Sequence, residues 1–236
     1  MEKGKLIVIE GTDCSGKETQ TKMLVDRLKN EGVFCDTLSF PQYGTSTGRI
    51  VGECYLGKPG MGPSWFKDPS KLDSKIASLY YAADRRALLP RINETLDRGM
   101  HLILDRYVSS NMAHQGGKID NDVEREEFYI GLDELEYGFL ELPRPDLTLF
   151  LYMPYKMGMG LRGNRDEGAD AHEADQNHLR DAERAFLQLE ELQFEELDYW
   201  MRINCVSKGL DGDIIRTPED IHGDVFDYVS NLINDS

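Results

Sequence analysis

Short apolar runs alternate with longer amphipathic stretches along this chain of 236 residues. The runs lie at about 5–10, 33–40, 101–105, 147–153 and 201–206. Each has the length of a buried strand, and the stretches between them carry the apolar spacing of helices. This β-α-β-α order predicts an α/β fold in three layers, a five-stranded parallel sheet with helices on both faces. Such a fold binds ligands beyond the carboxyl ends of its strands.

Four stretches carry the helical pattern: 72–98, 122–140, 174–199 and 218–230. In the first we expect a break or kink at Pro90, because proline cannot continue the hydrogen bonding of a helix. Pro218 stands at a helix-start position, where its missing N–H is tolerated. No stretch has the composition of a linker, so we expect a single domain over residues 1–236.

A glycine-rich turn follows the first apolar run and precedes a helical stretch. Its sequence is Gly11-Thr12-Asp13-Cys14-Ser15-Gly16-Lys17. The glycines let backbone N–H groups point into one concavity, and the lysine and the helix N-terminus add positive charge. The turn therefore predicts a P-loop that binds ATP, and the next two residues, Glu18 and Thr19, are included in the predicted ATP site. Glu18 takes the place of the usual hydroxyl residue that ligates Mg²⁺, and Thr19 follows it.

The third apolar run ends in an acid and an arginine, Asp105 and Arg106, and a polar run with Asn111 follows. An acid at the tip of a buried strand positions Mg²⁺ or its waters in P-loop folds, and a neighbouring arginine can hold a phosphate with two hydrogen bonds. We therefore expect Asp105 and Arg106 to face the P-loop. The alternative is an ordinary surface ion pair at a strand end.

An aromatic residue and a basic residue four positions apart, Tyr81 and Arg85, share one face of the helical stretch 72–98. A planar base could stack on the ring and accept a hydrogen bond from the guanidinium. The alternative is that Tyr81 packs in the core and Arg85 is solvated.

Acidic residues outnumber basic residues by 43 to 27, for a net charge of −16. This charge argues against nucleic acid or an anionic membrane as a partner. The four cysteines have neither metal-ligand nor disulfide-framework spacing, which fits reduced thiols. No window approaches the roughly 20 apolar residues of a membrane span, and we expect a soluble, cytoplasmic protein without a signal peptide.

In order along the chain, these motifs resemble the landmarks of the thymidylate kinase family of P-loop nucleoside monophosphate kinases. The landmarks are the P-loop with its internal acid, Ser39-Phe40-Pro41, Tyr81-Ala82-Ala83-Asp84-Arg85, Asp105-Arg106-Tyr107, Pro145-Asp146-Leu147 and Leu161-Arg162-Gly163-Asn164-Arg165. The resemblance implies transfer of the γ-phosphoryl group of ATP to dTMP, giving dTDP and ADP. It also implies Mg²⁺ with the ATP, and a homodimer.

Residue by residue, the resemblance implies a dTMP pocket. Asp13 would contact the deoxyribose 3′-hydroxyl, and Arg106 would hold the dTMP phosphate. Tyr81 would stack on thymine, Arg85 would reach its O4, and Asn111 its N3 edge. The other dTMP-binding residues would be Phe40, Tyr43, His114 and Gln115.

For the donor side, the resemblance implies a mobile lid at about 155–173 that closes over ATP. Lys17 belongs on the ATP phosphates, and Arg162 or Arg165 of the lid would stabilise the transferring group. These three residues, with Asp13 and Arg106, are the expected catalytic residues. Cys14 stands where some relatives carry a P-loop arginine, and in relatives without that arginine the lid supplies one.

Several positions depart from the family pattern. With Glu18 after the P-loop lysine, Mg²⁺ would rely on Asp105 through water, on Thr19 or on Glu173. Gln42 stands where relatives often have an arginine near the acceptor phosphate. His114 and His172 stand where tyrosine is frequent, so exclusion of a ribose 2′-hydroxyl would be looser or handled differently.

Two other functions stay open at this point. A deoxynucleoside kinase has a neutral hydroxyl as its acceptor and needs a carboxylate base, which the end of the second apolar run, 38–43, does not offer. A non-catalytic nucleotide-binding switch would tolerate Glu18, but it would leave the acceptor-side residues without a role: Tyr81, Arg85, Arg106 and Asn111.

Overall fold

The computed structural model describes residues 2–162, 176–192, 199–209 and 212–234 of the chain. Within them, five strands form a parallel sheet in the order β2-β3-β1-β4-β5. The strands are β1 (Leu6–Gly11), β2 (Cys35–Ser39), β3 (His101–Asp105), β4 (Leu147–Tyr152) and β5 (Trp200–Asn204). The predicted five-stranded parallel sheet is thus confirmed.

Helices cover both faces of this sheet. They are α1 (Lys17–Asn30), α2 (Ser46–Arg49), α3 (Ser74–Ala87), α4 (Leu89–Asp97), α5 (Val108–Gly116), α6 (Asp122–Asp133), α7 (Tyr155–Arg162), α8 (Gln176–Leu192) and α9 (Pro218–Asn234). Two π-helical segments follow α2 and α6, at Ile50–Leu56 and Glu134–Phe139, and Pro69–Lys71 is a 3-10 turn. A small antiparallel pair, β6 (Val206–Gly209) and β7 (Gly212–Ile215), precedes α9.

Each face of the sheet has its own apolar core, because successive side chains of a strand point to opposite faces. In β1, Leu6 and Val8 pack against residues of α4, α5 and α8, whereas Ile7 and Ile9 pack against residues of α1 and α9. All four side chains are buried, so the strand reads as one continuous apolar run. The predicted three layers are therefore present.

The predicted break in the helical stretch 72–98 falls two residues earlier than expected. Leu88 separates α3 from α4, and Pro90 lies in the first turn of α4. The reason is that proline is tolerated in a first turn, where the N–H needs no partner within the helix, so the interruption comes before it.

Other boundaries also differ from the prediction. The stretch predicted as a helix over 174–199 contains α8, and its far end reaches β5, which begins at Trp200; residues 193–198 lie outside the described residues. The helices over 46–56 and α5 were not predicted. Serine and asparagine residues near the start of α5 favour non-helical conformations, and tertiary contacts outweigh that preference. Among the described residues, no helix is both long and apolar enough to cross a membrane.

Candidate active site

A cleft of about 350 Å³ lies beyond the carboxyl ends of β1, β2 and β3. Most of the predicted site residues line it: Asp13, Cys14, Gly16, Lys17, Glu18, Thr19, Phe40, Tyr43, Tyr81, Arg85, Asp105, Arg106, Asn111, His114 and Gln115. Three predicted P-loop residues, Gly11, Thr12 and Ser15, are buried and do not line the cleft. The fold therefore brings distant sequence motifs into one concave site.

The P-loop presents the start of α1 to this cleft. Gly16 precedes the helix in the left-handed conformation, with φ of 85°, and none of the described side chains caps the helix. The backbone N–H groups of a first turn have no partner within their helix, so they can receive an anion. Thr12 holds the loop in place, because its hydroxyl donates to the carbonyl oxygen of Met153 at 2.7 Å and accepts from the Met153 N–H at 2.9 Å.

Lys17 lies along the inside of the P-loop. Its Nζ donates to the carbonyl oxygens of Gly11 and Thr12, each at 2.9 Å. Burial and the neighbouring Arg106 outweigh the carboxylate of Asp13 and lower the pKa of Lys17 to about 8. A bound phosphate would stabilise the charged amine, so this lysine is suited to an anionic ligand.

Asp13 and Arg106 face each other across the cleft, with 3.6 Å between Arg106 Nη2 and Asp13 Oδ1. Burial would raise the pKa of Asp13, but the positive charges of Lys17 and Arg106 outweigh it and lower that pKa to about 2. Burial would lower the pKa of Arg106, but the carboxylates of Asp13, Asp105 and Glu10 outweigh it and raise that pKa. Asp13 is therefore ionised and Arg106 charged at neutral pH.

Two histidines extend this network toward α8. Arg106 Nη1 lies 3.2 Å from His114 Nε2, and His114 Nδ1 lies 3.3 Å from His178 Nε2. Burial, with Arg106 nearby, lowers the pKa of His114 well below its usual value. Since arginine only donates hydrogen bonds, Nε2 of the neutral His114 ring accepts and Nδ1 carries the proton.

Glu10, at the end of β1, fixes the loop that carries Arg106. Its Oε1 accepts from the N–H groups of Tyr107 and Ser110 at 2.8 and 2.9 Å, and its Oε2 accepts from the Ser110 hydroxyl at 2.6 Å. The carboxylate thus caps the start of α5 from another element. Arg106 is left-handed, with φ of 68°, a conformation that persists in a non-glycine residue only where surrounding contacts impose it.

Arg85, which also lines the cleft, is paired with a carboxylate that the sequence motifs did not indicate. Arg85 Nε and Nη2 donate to the two oxygens of Glu136, each at 2.5 Å. Asn111 Nδ2 donates to Glu136 Oε1 at 2.9 Å. All three side chains are buried, so the possibility that Arg85 is solvated is wrong.

Aromatic rings and one lysine also line the cleft. Tyr81 is half-buried and makes an edge contact with Tyr55, with ring centres 6.0 Å apart. Phe40 is buried and lies 6.1 Å from the Tyr107 ring. Lys58 lines the cleft, and its Nζ lies 4.5 Å from the centre of the Tyr43 ring. The rings offer apolar surface for a planar base, and Lys58 adds a cation.

Comparison with known proteins identifies the family. A family model described as thymidylate kinase matches residues 9–208. The chain belongs to the thymidylate kinase family. A zebrafish thymidylate kinase is 28% identical over 98% of this chain and 92% of its own length. The human thymidylate kinase is 32% identical over 74% of this chain and 70% of its own length.

A solved structure supports the same assignment at the level of the fold. The thymidylate kinase from Candida albicans has a TM-score of 0.70 to this chain, with 24% identity over 99% of this chain and 94% of that one. The predicted P-loop fold and the predicted family are thus confirmed. The individual ligand contacts predicted for the site residues stay predictions.

The surroundings of Asp105 show whether this residue fits the predicted magnesium site. Its Oδ1 is buried and has no hydrogen-bond partner among the residues that the structure describes, and burial raises the pKa of the carboxyl group. A buried carboxylate oxygen without a partner fits a cation or its water shell. Thr19 is exposed in the cleft. Within the described residues, no three potential ligand side chains cluster, and the third candidate, Glu173, lies outside that part of the chain.

The structure describes only the first part of the segment predicted as a lid. Arg162 is the last residue of α7, whereas Arg165 and His172 lie outside the described residues. The helix itself packs beside the P-loop, since a Cβ built on Gly158 would lie 3.0 Å from the carbonyl oxygen of Asp13. α7 therefore starts the segment that the sequence predicts as a lid.

Three further residues at this thymidylate kinase site were not indicated by the family motifs: Glu10, Glu136 and Lys58. The sequence could have indicated Glu10, because it is an acid in an otherwise apolar strand. Nothing in the sequence distinguishes Glu136, because it stands among other acids in an amphipathic helical stretch. Gln42, which replaces a frequent arginine, donates to the Ser39 carbonyl oxygen at 2.7 Å and does not line the cleft.

Proposed function

We propose that this cleft transfers the γ-phosphoryl group of ATP to dTMP, giving dTDP and ADP. The observation that carries the proposal is that one cleft is lined by two polar groups, Lys17 with Arg106 and the buried Arg85 with Asn111. We call the first group the phosphate end and the second the base end. A nucleoside monophosphate has the same polarity, with an anion at one end and a hydrogen-bonding base at the other.

At the phosphate end, charge neutralisation is the main contribution. The P-loop N–H groups and Lys17 would hold the ATP phosphates, and Arg106 would hold the phosphate of dTMP. The acceptor oxygen is already anionic near neutral pH, so no general base is needed and catalysis rests on positioning and electrostatics. The network from Asp13 through Arg106 to His114 keeps the arginine in place before substrate arrives.

At the other end, the base would lie against Tyr81, with Phe40 and Tyr43 beside it. Arg85 would donate to O4, and Asn111 would accept from the N3–H. Asp13, which is ionised, would accept from the deoxyribose 3′-hydroxyl. His114 and Gln115 would face the sugar and base; both amide atoms of Gln115 are buried without a partner among the described residues.

Mg²⁺ is the cofactor we propose with ATP, held by Asp105 through water, by Thr19 or by Glu173. When bound, it would neutralise charge on the donor phosphates and fix their geometry. Asp105 would orient the hydrated cation through its unpartnered Oδ1. Arg162 or Arg165 of the lid would complete the charge neutralisation when the segment closes.

We further propose a cytoplasmic homodimer without nucleic acid or membrane partners. All four cysteines are free thiols, which suits a reducing compartment. Two apolar side chains on the outer face of α3, Ile76 and Leu79, are 45% and 53% exposed, and a second copy would cover them. The mass in solution, compared between the wild type and Leu79→Lys, tests this; a monomeric wild type would contradict it.

The activity is tested by coupled ADP release with ATP, Mg²⁺ and a panel of acceptors: dTMP, dUMP, dCMP, dGMP, AMP and thymidine. We expect strong turnover with dTMP. Turnover with thymidine instead would indicate a nucleoside kinase, although a base with the low pKa of Asp13 is poorly suited to that reaction. ATP binding without turnover on any acceptor would indicate a nucleotide-binding switch.

A further inference from the structure

The amide of Asn111 can take only one orientation at the base end of the cleft. Its Nδ2 lies 2.9 Å from Glu136 Oε1 and 3.3 Å from the carbonyl oxygen of Ser78. Both of these oxygens accept and neither donates, so the amide nitrogen must face them. Asn111 Oδ1 is then left buried and without a hydrogen-bond partner among the described residues, on a residue that lines the cleft.

The same carboxylate orients Arg85. Glu136 is completely buried, and its two oxygens receive Nε and Nη2 of Arg85. Within the part of the chain that the structure describes, the remaining nitrogen, Nη1, makes one long contact, of 3.4 Å with the Tyr107 carbonyl oxygen. Glu136 therefore occupies Nε and Nη2 of the guanidinium, and Nη1 can donate to a ligand.

We propose that Glu136 is a positioning residue that sets the hydrogen-bond polarity of the base site, so that the site takes a 4-keto pyrimidine and rejects a 4-amino pyrimidine. The oriented pair offers an acceptor, Asn111 Oδ1, beside a donor, Arg85 Nη1. Thymine and uracil match it with N3–H and O4. Cytosine has an acceptor at N3 and a donor at N4, so each contact would be mismatched.

This inference rests on the proposed function for the choice of substrate, but its physical basis is separate. A site built to hydrogen-bond an N–H rejects an analogue that lacks it, because the buried acceptor of the site is then left unpaired. The 5-methyl group does not take part, so Glu136 is expected to have no effect on discrimination between thymine and uracil.

The test is Glu136→Gln. A glutamine can donate as well as accept, so the Asn111 amide can rotate and exchange its oxygen and nitrogen. Arg85 also loses its charged partner. We expect the wild type to favour dTMP over dCMP in kcat/KM by on the order of 10³-fold or more, and Glu136→Gln to lower that ratio by at least about 10-fold. The dTMP to dUMP ratio and the KM for ATP should stay unchanged.

Glu134→Gln is the matched control, because Glu134 is exposed on the same π-helical segment and loses the same charge. If Glu136→Gln lowers activity equally on dTMP, dUMP and dCMP, Glu136 has only a structural role and the proposal is wrong. If the variant does not fold, as judged by circular dichroism, Asn111→Ser carries the test. It removes the oriented acceptor but keeps the Arg85–Glu136 pair, and it must reduce activity on dTMP and dUMP more than on dCMP.

Calorimetric binding of dTMP and dCMP separates this proposal from the proposed activity. A wild type that binds dTMP over dCMP but turns over neither would contradict the kinase function, and loss of that selectivity in Glu136→Gln would still support the role of Glu136. A wild type that turns over dTMP, with a selectivity that Glu136→Gln leaves intact, would overturn the role of Glu136 alone.

Discussion

The two ends of the cleft hold their charges in different ways. At the base end, Arg85 is paired with Glu136 through two hydrogen bonds, and both side chains are buried. At the phosphate end, the partners of Lys17 at hydrogen-bond distance within the described residues are two neutral carbonyl oxygens, and its pKa falls to about 8. The base end has its charges paired within the protein, whereas the phosphate end depends on the ligand for part of its pairing.

From this difference we expect base specificity to arise at the base end, and the rate and its pH dependence to arise at the phosphate end. A site whose charges are fixed by internal partners presents a constant hydrogen-bond pattern, which is what discrimination between bases needs. A site with crowded cations and shifted pKa values gains most when an anion enters, which is what binding and transfer of phosphate need. Changes at the two ends should therefore have separable effects.

The largest effect on rate is expected from Lys17→Met. It removes a buried cation from the site proposed for the donor phosphates, and we expect kcat to fall by about 10²- to 10³-fold while folding is kept. Lys22→Met, on an exposed position of the same helix, should be close to the wild type. Steady-state kinetics with ATP and dTMP measure both; a kcat within about threefold of the wild type for Lys17→Met would show that the phosphate end does not work as proposed.

Arg85→Met is expected to have the largest effect on stability. It leaves the completely buried Glu136 without its partner, and breaking such a pair costs about 3–5 kcal/mol of the free energy of unfolding. Urea denaturation gives the value, with Arg86→Met, an exposed neighbour, as the control. A cost below about 1 kcal/mol would mean that the base end is not held by this pair.

Glu10→Ala should affect both stability and the phosphate end. It leaves the N–H groups of Tyr107 and Ser110 without their acceptor, which we expect to cost about 2–4 kcal/mol of unfolding free energy and to raise the KM for dTMP through Arg106. Glu10→Gln, which keeps an acceptor oxygen, should lose less. If both variants have the wild-type KM for dTMP, the carboxylate does not position Arg106.

The shifted pKa of Lys17 predicts proton uptake when ATP binds. The pKa is about 8 in the free protein, and bound phosphate raises it, so affinity for ATP should fall about 10-fold between pH 7 and pH 9 as the free amine loses its proton. The same shift affects the free energy of unfolding. Charging this buried lysine lowers that free energy below pH 8, and the loss disappears as the pH rises from about 8 to 10.5, the ordinary pKa of a lysine.

Calorimetry in two buffers of different ionisation enthalpy measures this uptake. It should be near zero at pH 7 and a substantial fraction of a proton at pH 8.5. Lys17→Arg stays charged over this range and should remove the uptake. A wild-type uptake that is the same at both pH values would refute the assignment to Lys17.

The smallest effect is expected from Lys58→Met. Lys58 lies over Tyr43 in the cleft, and loss of its charge should weaken dTMP binding by about fivefold and leave thymidine binding unchanged, since thymidine has no phosphate. Lys75→Met, on an exposed lysine, is the control. Equal loss of dTMP and thymidine affinity would place Lys58 at the base end instead.

The sequence predicted much of this molecule because its strongest signals are local. The P-loop, Asp105-Arg106 and Tyr81 with Arg85 each follow a spacing that one element imposes, and the structure places all of them on one cleft. The α5 helix was not predicted, because its stability depends on Glu10 from another strand, and local propensity says little about such contacts. The possibility that Arg85 is solvated failed for the same reason, since its partner lies 51 positions away.

By itself, the sequence determined the parallel sheet, the P-loop and the family. The sheet depends on periodicity, the P-loop on one short motif, and the family on several short motifs in order along the chain. The tertiary structure alone decided that Glu136 fixes Arg85 and Asn111, that Glu10 holds Arg106, and that Lys58 joins the cleft. The physical reason is that the pairing of buried charges and hydrogen bonds depends on distance in space, and no local pattern specifies which distant partner each buried group will meet.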